Sequence, residues 1–150
     1  MNKLVKKLML VAAMLMLAAG PSFAADAIRI GLMCPLTGKW ASEGQDMQQI
    51  VSLLVSEVNK AGGINGKQLE IIAMDEQGDA TQAVTCFTKM CDQGITALVG
   101  DVTTTPTLAL AAESADYNMP MVTASATAEA VTYDAETDTV NENVFRATFT

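Results

Sequence analysis

Residues 69–99 read LEIIAMDEQGDATQAVTCFTKMCDQGITALV, and this stretch decides the fold. It opens on a short apolar run, Leu69 to Met74, that reads as a strand. A polar loop at 75–78 follows. Asp79, with Gln82 three residues on, has the form of a helix start. Ala80, Ala83, Val84, Phe87 and Cys91 then share one helical face, and Gly94 ends the helix. A second apolar run at 95–99 closes the unit. A strand, a single amphipathic helix and another apolar strand form the βαβ unit of a parallel sheet.

The same rhythm runs outward in both directions. Towards the N-terminus, residues 27–33 read as a strand with Ile28, Ile30 and Leu32 on one face. Pro35-Leu36-Thr37-Gly38 lies in the loop that follows, and Ser42 with Gln45 has the form of a capping box. Met47, Ile50, Val51, Leu54, Val55 and Val58 recur at helical spacing and predict one apolar face. Ala61-Gly62-Gly63 ends that helix, and Asn65-Gly66 makes the turn into the next strand. Towards the C-terminus, a hydroxyl-rich loop at 100–105 precedes Pro106, which fits the first position of a third helix. Leu108, Ala111, Ala112 and Ala115 mark its apolar face. Residues 120–123 read as a fourth strand. A polar stretch follows at 125–142, and residues 143–150 alternate as a last strand. The expectation is an α/β fold: a Rossmann-like parallel sheet with helices on both faces. Ligands bind such sheets at the carboxyl ends of the strands. The loops at 34–43, 100–105 and 124–129 leave those ends.

The N-terminus is of another kind. Lys3, Lys6 and Lys7 precede an uncharged apolar run at 8–19, and Gly20-Pro21 and Ser22-Phe23-Ala24 follow. This is the pattern of a secretory signal peptide, with the cut expected after Ala24. The run is too short for a bilayer, which needs roughly 20 residues. Residues 1–24 are thus expected to be removed, which leaves 25–150 outside the cytoplasm without direct membrane insertion. Three of the nine basic residues leave with the signal and none of the 17 acidic ones does, so the remainder carries six against 17, a net of −11. Such a surface excludes nucleic acid and anionic membrane as partners.

Composition narrows the chemistry further. The chain has no histidine, so neither a Ser–His nor a Cys–His nucleophile pair can form within it, nor a histidine metal site. No enzyme and no cofactor is expected. Cys34, Cys86 and Cys91 have no zinc spacing and read as buried thiols. Asp75, Glu76 and Asp79 cluster in one loop. A metal site there is conceivable, but a helix cap and a solvent face explain it better.

Pro35-Leu36-Thr37-Gly38, the helix end at 58–67, the loop Gly100-Asp101-Val102-Thr103-Thr104-Thr105 and the stretch 122–127 occur in a characteristic order and spacing. Together they resemble the N-terminal lobe of the periplasmic leucine/isoleucine/valine-binding family of ABC transporters, over about residues 27–150. The resemblance implies the first lobe of a two-lobe binding protein, with a second lobe beyond this sequence and a ligand clamped between the two. It implies capture of a small amino acid, of branched-chain type or related, and delivery to an ABC permease in the cytoplasmic membrane. It places Thr104 at the ligand carboxylate, and Ser125 and Thr127 at the ligand through a backbone carbonyl and a hydroxyl; Thr103 beside the first and Ala126 between the other two complete the expected ligand-binding set. Trp40 would form an apolar wall. A helix N-terminus flanked by hydroxyls suits an anion on physical grounds as well.

Two departures stand out. Some relatives carry an aromatic residue where Glu43 lies, touching the ligand side chain. Here the acid either points to solvent or signals a ligand that is not purely aliphatic. Relatives with a disulfide near the site have cysteines at the positions of Gly78 and Thr103, so the loops here must be held otherwise. A sensory receptor domain for amino acids or amides is the alternative use of the same lobe.

Overall fold

The computed structural model describes residues 27–149. The expected signal peptide at 1–24 lies outside them. Among the described residues, no helix is long and apolar enough to cross a membrane.

Five parallel strands form the sheet: β1 (Ile28–Met33), β2 (Leu69–Met74), β3 (Ala97–Val99), β4 (Met121–Thr123) and β7 (Val144–Arg146). Their order is β2-β1-β3-β4-β7. The helices α1 (Ala41–Lys60), α2 (Ala80–Asp92) and α3 (Thr104–Asp116) connect them. β1 pairs with β2 on one side and β3 on the other. The chain order therefore reverses at β1, which opens a crevice above the ends of β1 and β3.

Alternation along β1 assigns the helices to faces. Met33 joins a core with Phe87 and Met90 of α2 and with Leu110 of α3. Leu32 and Cys34 pack on the other side, against Met47 of α1. Helices thus cover both faces, as the sequence predicts. Asp79 caps α2, and its carboxylate accepts the Gln82 N–H at 2.8 Å. Gly94 follows that helix at φ +75°, the left-handed residue the C-terminus needs.

Several expectations are corrected. The Ser42–Gln45 capping box does not form. The N-cap of α1 is Trp40, without a side-chain cap bond, and the Gln45 amide reaches back to the Leu36 carbonyl at 3.0 Å. Pro106 is not the first residue of α3, which starts at Thr104. Proline still fits there, since no helical acceptor awaits its missing N–H in the first turn. The buried face of α3 is Pro106, Thr107, Leu110, Ala111 and Ser114, whereas Leu108 is 37% exposed. The stretch 125–142 is also structured: a 3₁₀ turn (Glu129–Val131) precedes a small hairpin of β5 (Tyr133–Asp134) and β6 (Thr139–Val140).

The largest difference concerns α1. Its predicted apolar stripe is real as a pattern, yet only Gly44 and Met47 of this helix are buried. Ile50, Leu53 and Leu54 are about 60% exposed. Val122 and Phe145 are also exposed, on strands whose flanking residues Met121, Thr123 and Val144 are buried. Met47 and Val51 of the predicted stripe pack against Leu32 and Cys34, and Val55 and Val58 are half-buried, but Ile50 and Leu54 stand outside that contact.

Candidate functional site

The crevice at the strand ends holds a cavity of about 370 Å³ lined by Trp40, Glu43, Val102, Thr103, Thr104, Ser125 and Thr127. Five of the six ligand residues expected from sequence meet there. Ala126 does not line it: its side chain is 1% exposed in the core, and its N–H donates to Thr123 Oγ1 at 3.3 Å. A second, more apolar groove of about 430 Å³ adjoins the cavity and shares Glu43, Val102 and Ser125 with it. Glu43 therefore faces the crevice. Trp40 forms one wall, with Lys39 Nζ 4.7 Å above its ring.

The start of α3 supplies the donors. Thr103 is the N-cap, and its N–H is already bound to Asp101 Oδ1 at 3.1 Å. Its Oγ1 is buried without a partner. The next two N–H groups, of Thr104 and Thr105, have no acceptor within the helix. They leave the positive end of α3 open towards the cavity. Thr104 adds a hydroxyl at the same place. Ser125 has a different role, since its Oγ donates to the Val102 carbonyl at 2.8 Å and ties the loop after β4 to the loop after β3. Thr127 lines the opposite side, and Arg146 holds its carbonyl at 3.0 Å. Among the described residues, no lysine or arginine lines this cavity. A ligand carboxylate would be held by neutral donors and a helix end, an arrangement that binds anions well.

The acidic loop after β2 is used structurally. Asp75 accepts the N–H groups of Leu36 and Thr37 and the Thr37 hydroxyl, the last at 2.6 Å. This fixes the β1–α1 loop beneath Trp40. Asp79 caps α2. Glu76 is fully buried. Sequence reading missed the importance of Glu76 and Asp101. Both are fully buried, each keeps one carboxyl oxygen without a hydrogen-bond partner, and the charge of Asp101 bears on Glu76. They join the loops that carry Gly78 and Thr103, where the family resemblance left the connection open. Among the described residues the three cysteines are free thiols. Burial, followed by the charges of Glu76 and Asp101, pushes Cys34 up to about 12, so this thiol is inert.

Comparison with known proteins agrees with this geometry. A family model described as a periplasmic binding protein matches residues 27–150. The chain belongs to the periplasmic binding protein family. Among its relatives in this family, a leucine-, isoleucine-, valine-, threonine- and alanine-binding protein of Pseudomonas aeruginosa is 40% identical over 115 residues, 76% of this chain and 31% of the relative. A Leu/Ile/Val-binding protein of Rhizobium johnstonii is 36% identical over 77% of this chain and 31% of that protein. The branched-chain amino acid transporter substrate binding protein of Streptococcus pneumoniae, solved in complex with isoleucine, superposes with a TM-score of 0.74. It is 30% identical, over 83% of this chain and 34% of that one. The chain thus spans about a third of the length of the curated relatives it matches.

Proposed function

We propose that the chain forms the ligand-binding first lobe of an extracytoplasmic solute-binding protein of an ABC transporter, exported by the signal at 1–24. The ligand is a small amino acid of branched-chain type or a near relative, passed unchanged to a membrane permease. One observation carries this reading: Thr104, Thr127 and the open end of α3 surround a single cavity at the topological switch point of the sheet. The branched-chain names of the relatives support the ligand class. The exposed apolar face of α1 supports the reading as one lobe of a larger molecule.

Hydrogen bonds to a charged group are worth roughly 1.5–3 kcal/mol. Thr104→Ala and Thr127→Ala are therefore each expected to weaken amino-acid binding roughly 10- to 150-fold in the full-length protein. Calorimetric titration checks this. Unchanged affinity in both variants would move the site elsewhere.

A further inference from the structure

We propose that Glu76 and Asp101 share one proton, and that this buried link positions the two hydroxyl loops for the ligand. Glu76 lies two residues past β2, and Asp101 two residues past β3. β1 lies between those two parallel strands, so the two loops leave the same end of the sheet on either side of it. Both acids are fully buried. Each carboxyl has one oxygen satisfied by a backbone N–H: Glu76 Oε1 accepts from Gly78 at 3.0 Å, and Asp101 Oδ1 from Thr103 at 3.1 Å. The other two oxygens, Glu76 Oε2 and Asp101 Oδ2, are buried with no donor in reach. Two ionised carboxylates only accept hydrogen bonds and cannot bond to each other. One proton between them makes the bond and removes one of two buried negative charges.

The surroundings favour retention of that proton. The groups facing the pair are Cys34 past β1, Asp75 on the same loop as Glu76, and Cys86 on α2, whose nearest cation is Lys89. The hydroxyl of Thr123 on β4 donates to the Asp101 carbonyl at 2.8 Å. Among the described residues, no basic side chain forms an ion pair with either carboxyl. Burial, and then the charge of Asp101, raises Glu76 from 4.5 to about 8. Burial likewise raises Asp101. The pair titrates as a unit and holds one proton at neutral pH.

Asp101 passes the link on to the site. Its carboxylate holds the N-cap of α3, and its carbonyl holds Thr123, which in turn holds the Ala126 N–H. Loss of the proton leaves two buried negative charges face to face and pushes the loops apart. The folded state keeps a proton that the unfolded chain releases above about pH 4.5. Its contribution to stability is therefore complete below that pH and is lost as pH rises to about 8. Ligand affinity should fall over the upper part of the same window.

The binding half of this inference rests on the proposed amino-acid function; the shared proton does not. The test uses the full-length protein, its E76Q variant and leucine as the probe. Glutamine keeps the shape and donates to Asp101 without a titrating proton. Wild type should lose about tenfold in leucine affinity between pH 6 and pH 9, the shift one lost link implies. E76Q should lose less than threefold, and because leucine's own ionisation is common to both proteins, the ratio isolates the pair. Infrared difference spectra without ligand provide the second readout. A protonated-carboxyl band at pH 7 that disappears near pH 8 and is missing in E76Q supports the proposal. Parallel pH profiles in the two proteins, or no such band in wild type, would overturn it. Failure of leucine to bind at any pH, with the band present, would defeat the ligand assignment and leave the shared proton established.

Discussion

Gly44→Ala is expected to destabilise the folded protein by about 3 kcal/mol or more, the upper range for overpacking. Two effects oppose each other. Alanine in a helix interior is favoured over glycine by about 1 kcal/mol. Against that, a Cβ at Gly44 would lie 1.9 Å from the Pro35 carbonyl oxygen and 2.6 Å from its carbon. These are backbone atoms, so no side-chain rotation relieves the clash. Either α1 or the β1–α1 loop must move, and that loop carries Trp40. Ligand binding should weaken along with stability. Urea unfolding measures the first effect and titration the second. A variant as stable as wild type would show that α1 does not rest on the loop as described.

Phe87→Ala should cost about 3–5 kcal/mol, the usual range for a fully buried aromatic. Phe87 is completely buried among Met33, Met90, Leu98 and Leu110. Its ring also stands edge-on to Tyr117, with centroids 5.4 Å apart and planes at 84°. Such a pair adds about 0.5–1.5 kcal/mol beyond the area buried. Phe87 belongs to the face of the sheet covered by α2 and α3, far from the exposed face of α1. The equivalent truncation on that other face, Leu53→Ala at 62% exposure, should cost under about 1 kcal/mol. Thermal melts of the two variants compare the faces directly. Equal losses would contradict the assignment of the core.

The parallel sheet was legible because strand and helix periods alternate cleanly from residue 28 onwards. β2 falls where its apolar run predicts, and Asp79 caps α2 as its spacing suggests. The buried face of α3 was misread for a chemical reason. Thr107 and Ser114 turn their hydroxyls onto the carbonyls of Thr103 and Ala111, at 2.6 and 2.9 Å, and so enter the core with their polarity satisfied. A hydrophobicity pattern does not see this. The β5–β6 hairpin was missed because two-residue strands have no period. Its turn is held instead by local bonds such as Tyr133 Oη to Asp138 at 2.7 Å.

The site divides the same way. Hydroxyls placed before a helix after an apolar strand mark a candidate anion site, and Thr103 and Thr104 line the cavity at the place their position in the sequence suggests. Ser125 was legible by place but not by action, since its tether to Val102 depends on how two loops meet. Glu76 and Asp101 were not legible at all. They are 25 positions apart, and an acid in a polar loop looks like solvent-facing charge until the sheet brings the two loops to one end, on either side of β1.

The central claim is that this lobe recognises a carboxylate with neutral donors at the start of α3. Calorimetric titration of the full-length protein with leucine and with its decarboxylated amine, 3-methylbutylamine, tests it most directly. The two probes share the apolar side chain and the ammonium and differ only in the carboxylate. Leucine should bind at least tenfold more tightly, as loss of even one charged hydrogen bond requires. Equal affinity for leucine and the amine would contradict the account.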